Sequence, residues 1–243
     1  TGASLLLAGV GSQAKEATTI ALPSLTQTGT VFVVQNQKLT TLNLSTLQTT
    51  KADAAVDDYE AFPAVDPRDP LFHVYVTVIF GPCGPGVGAF HTGDIQIWAN
   101  GADQFDNSSL TTLKLDGLDT VGGTLVLTDL PQSSFDFPAL ESAFGIALVD
   151  DAALTSFTAP ALTQLGDGFF DVSATPLLTD VEMPSLQSSP LTFFSLDPGS
   201  SGFATLELGN ATEIGALDIF DVGDTDLSNL PFSIIDHDLI VEA

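Results

Sequence analysis

The run Leu110-Thr111-Thr112-Leu113-Lys114-Leu115-Asp116-Gly117-Leu118 returns in the same apolar frame at Leu39 to Leu47, Leu154 to Leu162 and Leu178 to Leu186. Apolar side chains hold its first, fourth, sixth and ninth positions, as in Leu39, Leu42, Leu44 and Leu47 or in Leu178, Val181, Met183 and Leu186. Weaker copies run Ile20, Leu22, Leu25; Phe135, Phe137, Leu140; Phe203, Leu206, Leu208; and Leu227, Leu230, Phe232. Anchored on the second apolar position, the copies stand at 20, 42, 113, 135, 157, 181, 206 and 230, in steps of 22, 71, 22, 22, 24, 25 and 24. Self-similarity at such a period marks a repeat array, in which each unit buries its apolar face only against its neighbours. Pro23, Pro138, Pro160, Pro184 and Pro231 fall at or beside the last strand residue of their copies, where a proline ends a strand at a corner.

Each interval also holds a second alternating run: Val31 and Val33, Ile95 and Ile97, Leu125 and Leu127, Ile146 and Leu148, Leu217 and Ile219, with Phe169 and the pair Leu191 and Phe193 completing the set. Alternation with β-branched and aromatic residues reads as strand, and no interval carries a stripe of helical period. The fold class predicted is therefore all-β: one parallel β-solenoid over 1–243, of eight or nine coils with two short strands per coil. Strand stacking at about 4.8 Å makes such a rod roughly 40 Å long. Ile20, Leu22, Leu42, Leu44, Leu113, Leu115, Phe135, Phe137, Phe157, Val181, Leu206 and Leu208 are expected inside. Thr18, Thr40, Thr111, Thr155, Thr179 and Ser228 recur at one place in the coil. They are expected to form a file of hydroxyls that hydrogen-bond at a tight corner rather than an exposed recognition face.

The order Gly-x-apolar-x-apolar, then Leu-Thr-x-Leu-x-Leu-Pro-x-Leu, resembles the repeat of receptor L domains and leucine-rich-repeat-like wall proteins. Thr30 to Leu47, Gly123 to Leu140 and Gly145 to Leu162 carry it best, and it covers 17–47 and 93–235. The cysteines that many such domains hold are missing here. The resemblance implies a solenoid in an extracellular or cell-surface setting, and it implies no particular ligand.

The step of 71 marks an interruption. Residues 48–92 read as an inserted subdomain with the acidic run Asp57-Asp58-Tyr59-Glu60, the strand-like His73 to Phe80 and the loop around Cys83. Insertions in repeat proteins sit on one face and often carry recognition. Tyr59, Arg68, His73 and Tyr75, with Trp98 from the following strand, are thus the candidate binding residues for a carbohydrate or a surface protein. A packing subdomain that merely covers one side of the core fits the same residues.

Thirty-one acidic residues against five basic ones, Lys15, Lys38, Lys51, Arg68 and Lys114, give a formal charge of −26. Phosphate binding needs clustered Lys and Arg, so nucleic acid is excluded and anionic membrane surfaces are disfavoured. The acids are 24 Asp and seven Glu. Asp suits turns and oxygen-ligand cation sites, so a solvated acidic surface, a divalent-cation role and a saline habitat all fit. Asp221, Asp224 and Asp226 form the densest cluster and are the candidate calcium ligands. No disulfide can form within a chain whose only cysteine is Cys83. The odd thiol fits an intermolecular bond better than catalysis, although His73 and His91 lie within the same region. No apolar stretch reaches the length of a membrane span, and an exported chain is expected to have lost its signal. Asn43, Asn107 and Asn210 open glycosylation sequons.

Five scattered basic residues offer no proton-accepting cluster of the kind that lyases on β-helices use. A carboxylate pair for glycoside hydrolysis fits the abundance of Asp, which also robs it of meaning. The leading expectation is a non-catalytic extracellular structural or adhesive protein. The rival is a carbohydrate- or protein-binding module, and a carbohydrate-active β-helix enzyme stands third. Neither terminus carries a polar or helical cap: Leu5, Leu6 and Leu7 at one end and Leu239, Ile240 and Val241 at the other are apolar strand residues. Either the chain is a piece of a longer protein, or these ends are expected to be covered by end-to-end self-association into a filament.

Overall fold

The computed structural model describes residues 5–8, 18–34, 36, 38–51, 95–98, 109–166, 169–187, 189–199, 203–220, 230, 233–235 and 239–242. Its first ten strands in chain order are β1 (Leu5–Ala8), β2 (Thr19–Ala21), β3 (Gln27–Thr28), β4 (Val31–Val34), β5 (Thr41–Asn43), β6 (Thr49–Thr50), β7 (Ile95–Trp98), β8 (Thr112–Lys114), β9 (Thr120–Thr128) and β10 (Ser134–Asp136). There follow β11 (Ser142–Val149), β12 (Ser156–Thr158), β13 (Gln164–Leu165), β14 (Phe169–Ser173), β15 (Asp180–Glu182), β16 (Ser189–Asp197), β17 (Thr205–Glu207), β18 (Glu213–Phe220), β19 (Ile234–Ile235) and β20 (Leu239–Glu242). Among the described residues there is no helix, and every pairing is parallel.

This is a β-solenoid. A long ladder runs β1-β4-β7-β9-β11-β14-β16-β18, and β20 continues it beside β18. One register threads it: Leu5, Val31, Ile95, Leu125, Ile146, Phe170, Phe194, Leu217 and Leu239 are successive Cα partners. The short strands of the repeated nine-residue motif stack separately as β2-β5-β8 and β10-β12-β15-β17. About six turns are complete on both faces within the described residues, against the eight or nine coils that the repeat predicts.

In the motif the fourth residue is the centre of a three-residue strand, the sixth follows just after it, and the flanking residues turn. Leu42, Leu44, Phe157, Ala159, Val181 and Met183 are fully buried, and so are the flanking Leu39, Leu47, Leu154, Leu162, Leu178 and Leu186. Burying each Leu-sized side chain contributes about 1.5–3 kcal/mol. Ile20, Leu22 and Leu113 are half-buried and pack on the same core. Phe157, from the motif strand, meets Phe170 from the long strand at 5.6 Å between ring centroids, and Phe170 meets Phe194 at 5.9 Å. These rings join the two walls of the coil through its centre.

The threonine file closes its corner as expected at its described members, while Ser228 lies outside the described residues. Thr40 Oγ1 donates to the Thr18 carbonyl at 2.9 Å, Thr111 Oγ1 to Thr40, and Thr179 Oγ1 to Thr155. Each hydroxyl thus bonds the carbonyl of the equivalent residue one coil away. At the corner that follows the motif strand, Gly209 has φ +57° and a Cβ there would lie 2.5 Å from the Pro184 carbonyl oxygen. Only glycine accepts both the left-handed backbone and that approach.

Several details differ from the sequence reading. The inward residues of β14 and β16 are Phe170 with Val172 and Phe194 with Leu196, one position on from Phe169, Leu191 and Phe193. The Phe169-Phe170 and Phe193-Phe194 doublets satisfy either frame in sequence, and only the ladder register chooses. The β2-β3-β4 and β12-β13-β14 turns hold three strands rather than two, because the side strand there is separated from the long one. Thr49 and Thr50 stay in the ladder between β3 and β9, inside the segment assigned to the insertion. Ile235 pairs with Ile214, so the last step of the solenoid is 21 residues on that ladder, whereas the Leu206 to Leu230 frame reads 24. Leu230 is half-buried against the core. Between β8 and β10 the motif ladder is interrupted, and the Gln132 side-chain amide donates to the Leu110 carbonyl at 3.1 Å.

Candidate functional site

Alternation in the long strands sends every second side chain outward, and this outer face changes along the rod. On the early strands it is covered: Phe32 is 7 % exposed, and Thr30, Thr124, Thr128 and Ala147 are also buried. On β14 and β16 it opens. Phe169, the Cα partner of Phe193, is half-buried, Phe193 is 39 % exposed, and Asp197 is exposed. Asp171, Ser195 and Asp218 form the next outward row in register. Partial burial raises the Asp171 pKa above the ordinary carboxylate value, the Ser195 side-chain hydrogen bond opposes this, and the nearby Asp197 charge reinforces it. Aromatic and acidic rows therefore lie side by side. No Lys or Arg follows Lys114 in the sequence, whereas 21 of the 31 acids do.

At the corner after the long strands, Asp129, Asp150 and Ala174 share a left-handed backbone, with φ of 55°, 57° and 51°. Their N–H groups donate to Val149, Ser173 and Asp197, one coil on. An open groove of about 590 Å³ is lined by this file together with Ala152, Pro176, Pro198 and Gly199. Next in sequence to Asp150, Asp151 is fully buried. Its Oδ1 accepts the Leu130 N–H at 2.7 Å, and its Oδ2 has no partner. Burial pushes its pKa up to about 8, the Leu130 hydrogen bond offsets part of this, and the Asp129 and Asp150 charges add to the rise. Burial thus favours the protonated form of Asp151, whose carboxyl satisfies a backbone donor. Nothing in an Asp-Asp doublet at a turn distinguishes the buried member in sequence.

Tyr59, Arg68, His73 and Tyr75 lie outside the described residues, as do Cys83, His91 and His237. Trp98 ends β7 with its backbone opposite Thr128. Asp221, Asp224 and Asp226 also lie outside the description, and among the described residues no three His, Cys, Asp or Glu side chains gather as a metal site. The strand of Leu5, Leu6 and Leu7 pairs with Val31, Phe32 and Val33, and that of Leu239, Ile240 and Val241 with Leu217, Asp218 and Ile219. Asn43 Oδ1 accepts the N–H of Ser45 from its own sequon, Asn210 is exposed on a turn, and Asn107 is not described. Among the described residues no helix is long and apolar enough to cross a membrane. No protein-family profile, curated protein or solved structure matches the chain.

Proposed function

We propose that this chain is a non-catalytic extracellular structural or adhesive protein, a stiff rod that presents its long sheet laterally. One observation supports this reading above the others: a single parallel register runs from β1 to β20, which fixes outward side chains of successive coils about 4.8 Å apart. The extracellular setting rests on the likeness to receptor L-domain and wall-protein repeats. Self-association uses the same ladder. Among the described residues β1 pairs only with β4 and β20 only with β18, and the strand that continues either edge is a further coil or a second copy. Light scattering and electron microscopy on the full chain test this, with filaments at high concentration expected and a monomer at every concentration contradicting it.

A second reading, a carbohydrate- or protein-binding module, is favoured by the open aromatic and acidic rows on β14 and β16. Calcium at Asp221, Asp224 and Asp226 belongs to the proposal through the hard oxygen chemistry of three carboxylates in six residues. Calcium should raise the melting temperature more than sodium at matched ionic strength. An equal response reduces the effect to screening of the −26 charge.

A further inference from the structure

We infer that the outer face of β14, β16 and β18 docks an arginine-bearing segment of a partner protein, with Phe193 as its aromatic platform and Asp171 and Asp197 as its counter-charges. Phe193 is 39 % exposed, and it stands beside the half-buried Phe169 rather than alone. Two positions along the same strand lies Ser195, whose side chain is hydrogen-bonded to Asp171 of the adjacent strand, and two further lies Asp197. Outward neighbours along a strand are about 7 Å apart and those across strands about 4.8 Å, so Asp171, one step along and one across from Phe193, falls within the reach of one arginine on the ring, while Asp197, about 14 Å along the strand, takes a second cation of the segment. A guanidinium fits this pattern better than an ammonium, because its plane stacks on a ring while its fork takes a carboxylate. The occupant's charge follows from complementarity: with no Lys or Arg after Lys114, cations for this half of the rod come from 1–114 or from another molecule. A second copy of a chain of charge −26 is a poor occupant of an acidic face. The inference does not depend on end-to-end stacking, since a monomer presents the same face.

The test measures binding of octa-arginine and octa-lysine to the full chain by calorimetry at physiological ionic strength. Phe193→Ser should weaken octa-arginine about fivefold, the scale of one cation–π contact, and leave octa-lysine nearly unchanged. Asp171→Asn with Asp197→Asn should weaken both peptides, and the distant pair Asp116→Asn with Glu141→Gln should weaken neither by more than about twofold. Phe193→Leu serves as the second platform variant and is expected to lose the same preference for arginine, with melting curves confirming that each variant folds. Equal losses from the near and distant acidic pairs, or octa-arginine binding that ignores position 193 in both variants, overturn the inference in favour of diffuse attraction. An oligomer of glucosamine that depends on Phe193 and outbinds octa-arginine overturns the protein partner in favour of a cationic glycan.

Discussion

Phe32 and Phe193 both project outward from the same long ladder, yet the first is 7 % exposed and the second 39 %. The early outward residues Phe32, Thr124, Thr128 and Ala147 are buried and Val126 is half-buried, whereas the later ones run from the half-buried Phe169, Asp171 and Ser195 to the exposed Phe193 and Asp197. The interior does not change in this way. The row Val31, Ile95, Leu125, Ile146, Phe170, Phe194 and Leu217 is buried throughout. Stacking geometry therefore sets the inside of the rod, while its outer face is free to differ from coil to coil, and that is where recognition can be written.

The largest expected effect is on the shared interior. Phe170→Ala removes a ring wedged between Phe157 and Phe194 and should cost about 3–5 kcal/mol in chemical denaturation, because neighbouring coils cannot collapse into the gap. A cost under about 1 kcal/mol would mean that the two walls do not meet there. Phe32→Ala should come next, at about 3 kcal/mol, and its comparison with Phe193→Ala sharpens the contrast between covered and open faces. The Phe193 change should stay within about 0.5–1 kcal/mol, and equal costs at the two positions would erase the contrast.

Between those extremes lies Asp151. Its folded-state pKa near 8 stands above the ordinary 3.8, so the folded chain keeps a proton that the unfolded chain releases. Its stabilising state is fully present below the ordinary carboxylate value and is lost as pH rises through about 8. Denaturation at a series of pH values should show stability declining over that window, and Asp151→Asn, which keeps an oxygen for the Leu130 N–H, should flatten the decline. An unchanged slope in the variant would assign the pH dependence to the net charge instead. A smaller effect is expected at Ala174, whose φ of 51° suits glycine. Ala174→Gly should raise stability by up to about 1 kcal/mol, while Gly209→Ala should lower it by about 1–3 kcal/mol. A stable Gly209→Ala protein would show that the corner relaxes.

The solenoid was legible because its motif repeats an inward frame that no helix satisfies, as Leu39-Leu42-Leu44-Leu47 and Leu178-Val181-Met183-Leu186 show. The frame of β14 and β16 was not, since a Phe-Phe doublet offers a ring to either face and register is a property of the neighbouring strand. For the same reason the open row was missed: Phe193 reads as interior until Phe194 is seen to take that place. Asp151 was hidden differently, because a carboxyl that caps a backbone donor one coil away leaves no local pattern. The candidate residues Tyr59, Arg68, His73 and Tyr75, and the cluster Asp221, Asp224 and Asp226, lie outside the described residues.

The central claim is the stacking of equivalent positions, and the file Asp136, Thr158, Glu182 and Glu207 tests it most directly. With Cys83 replaced by serine, spin labels at positions 136 and 207 can be measured by pulsed dipolar spectroscopy against labels at 136 and 182. Although 71 residues separate the outer pair in sequence, three strand spacings place their backbones about 14 Å apart, and the inner pair should be closer by about 4.8 Å. Backbone separations more than about twice these values, or a pair distance that does not grow by one strand spacing per coil, would contradict the solenoid.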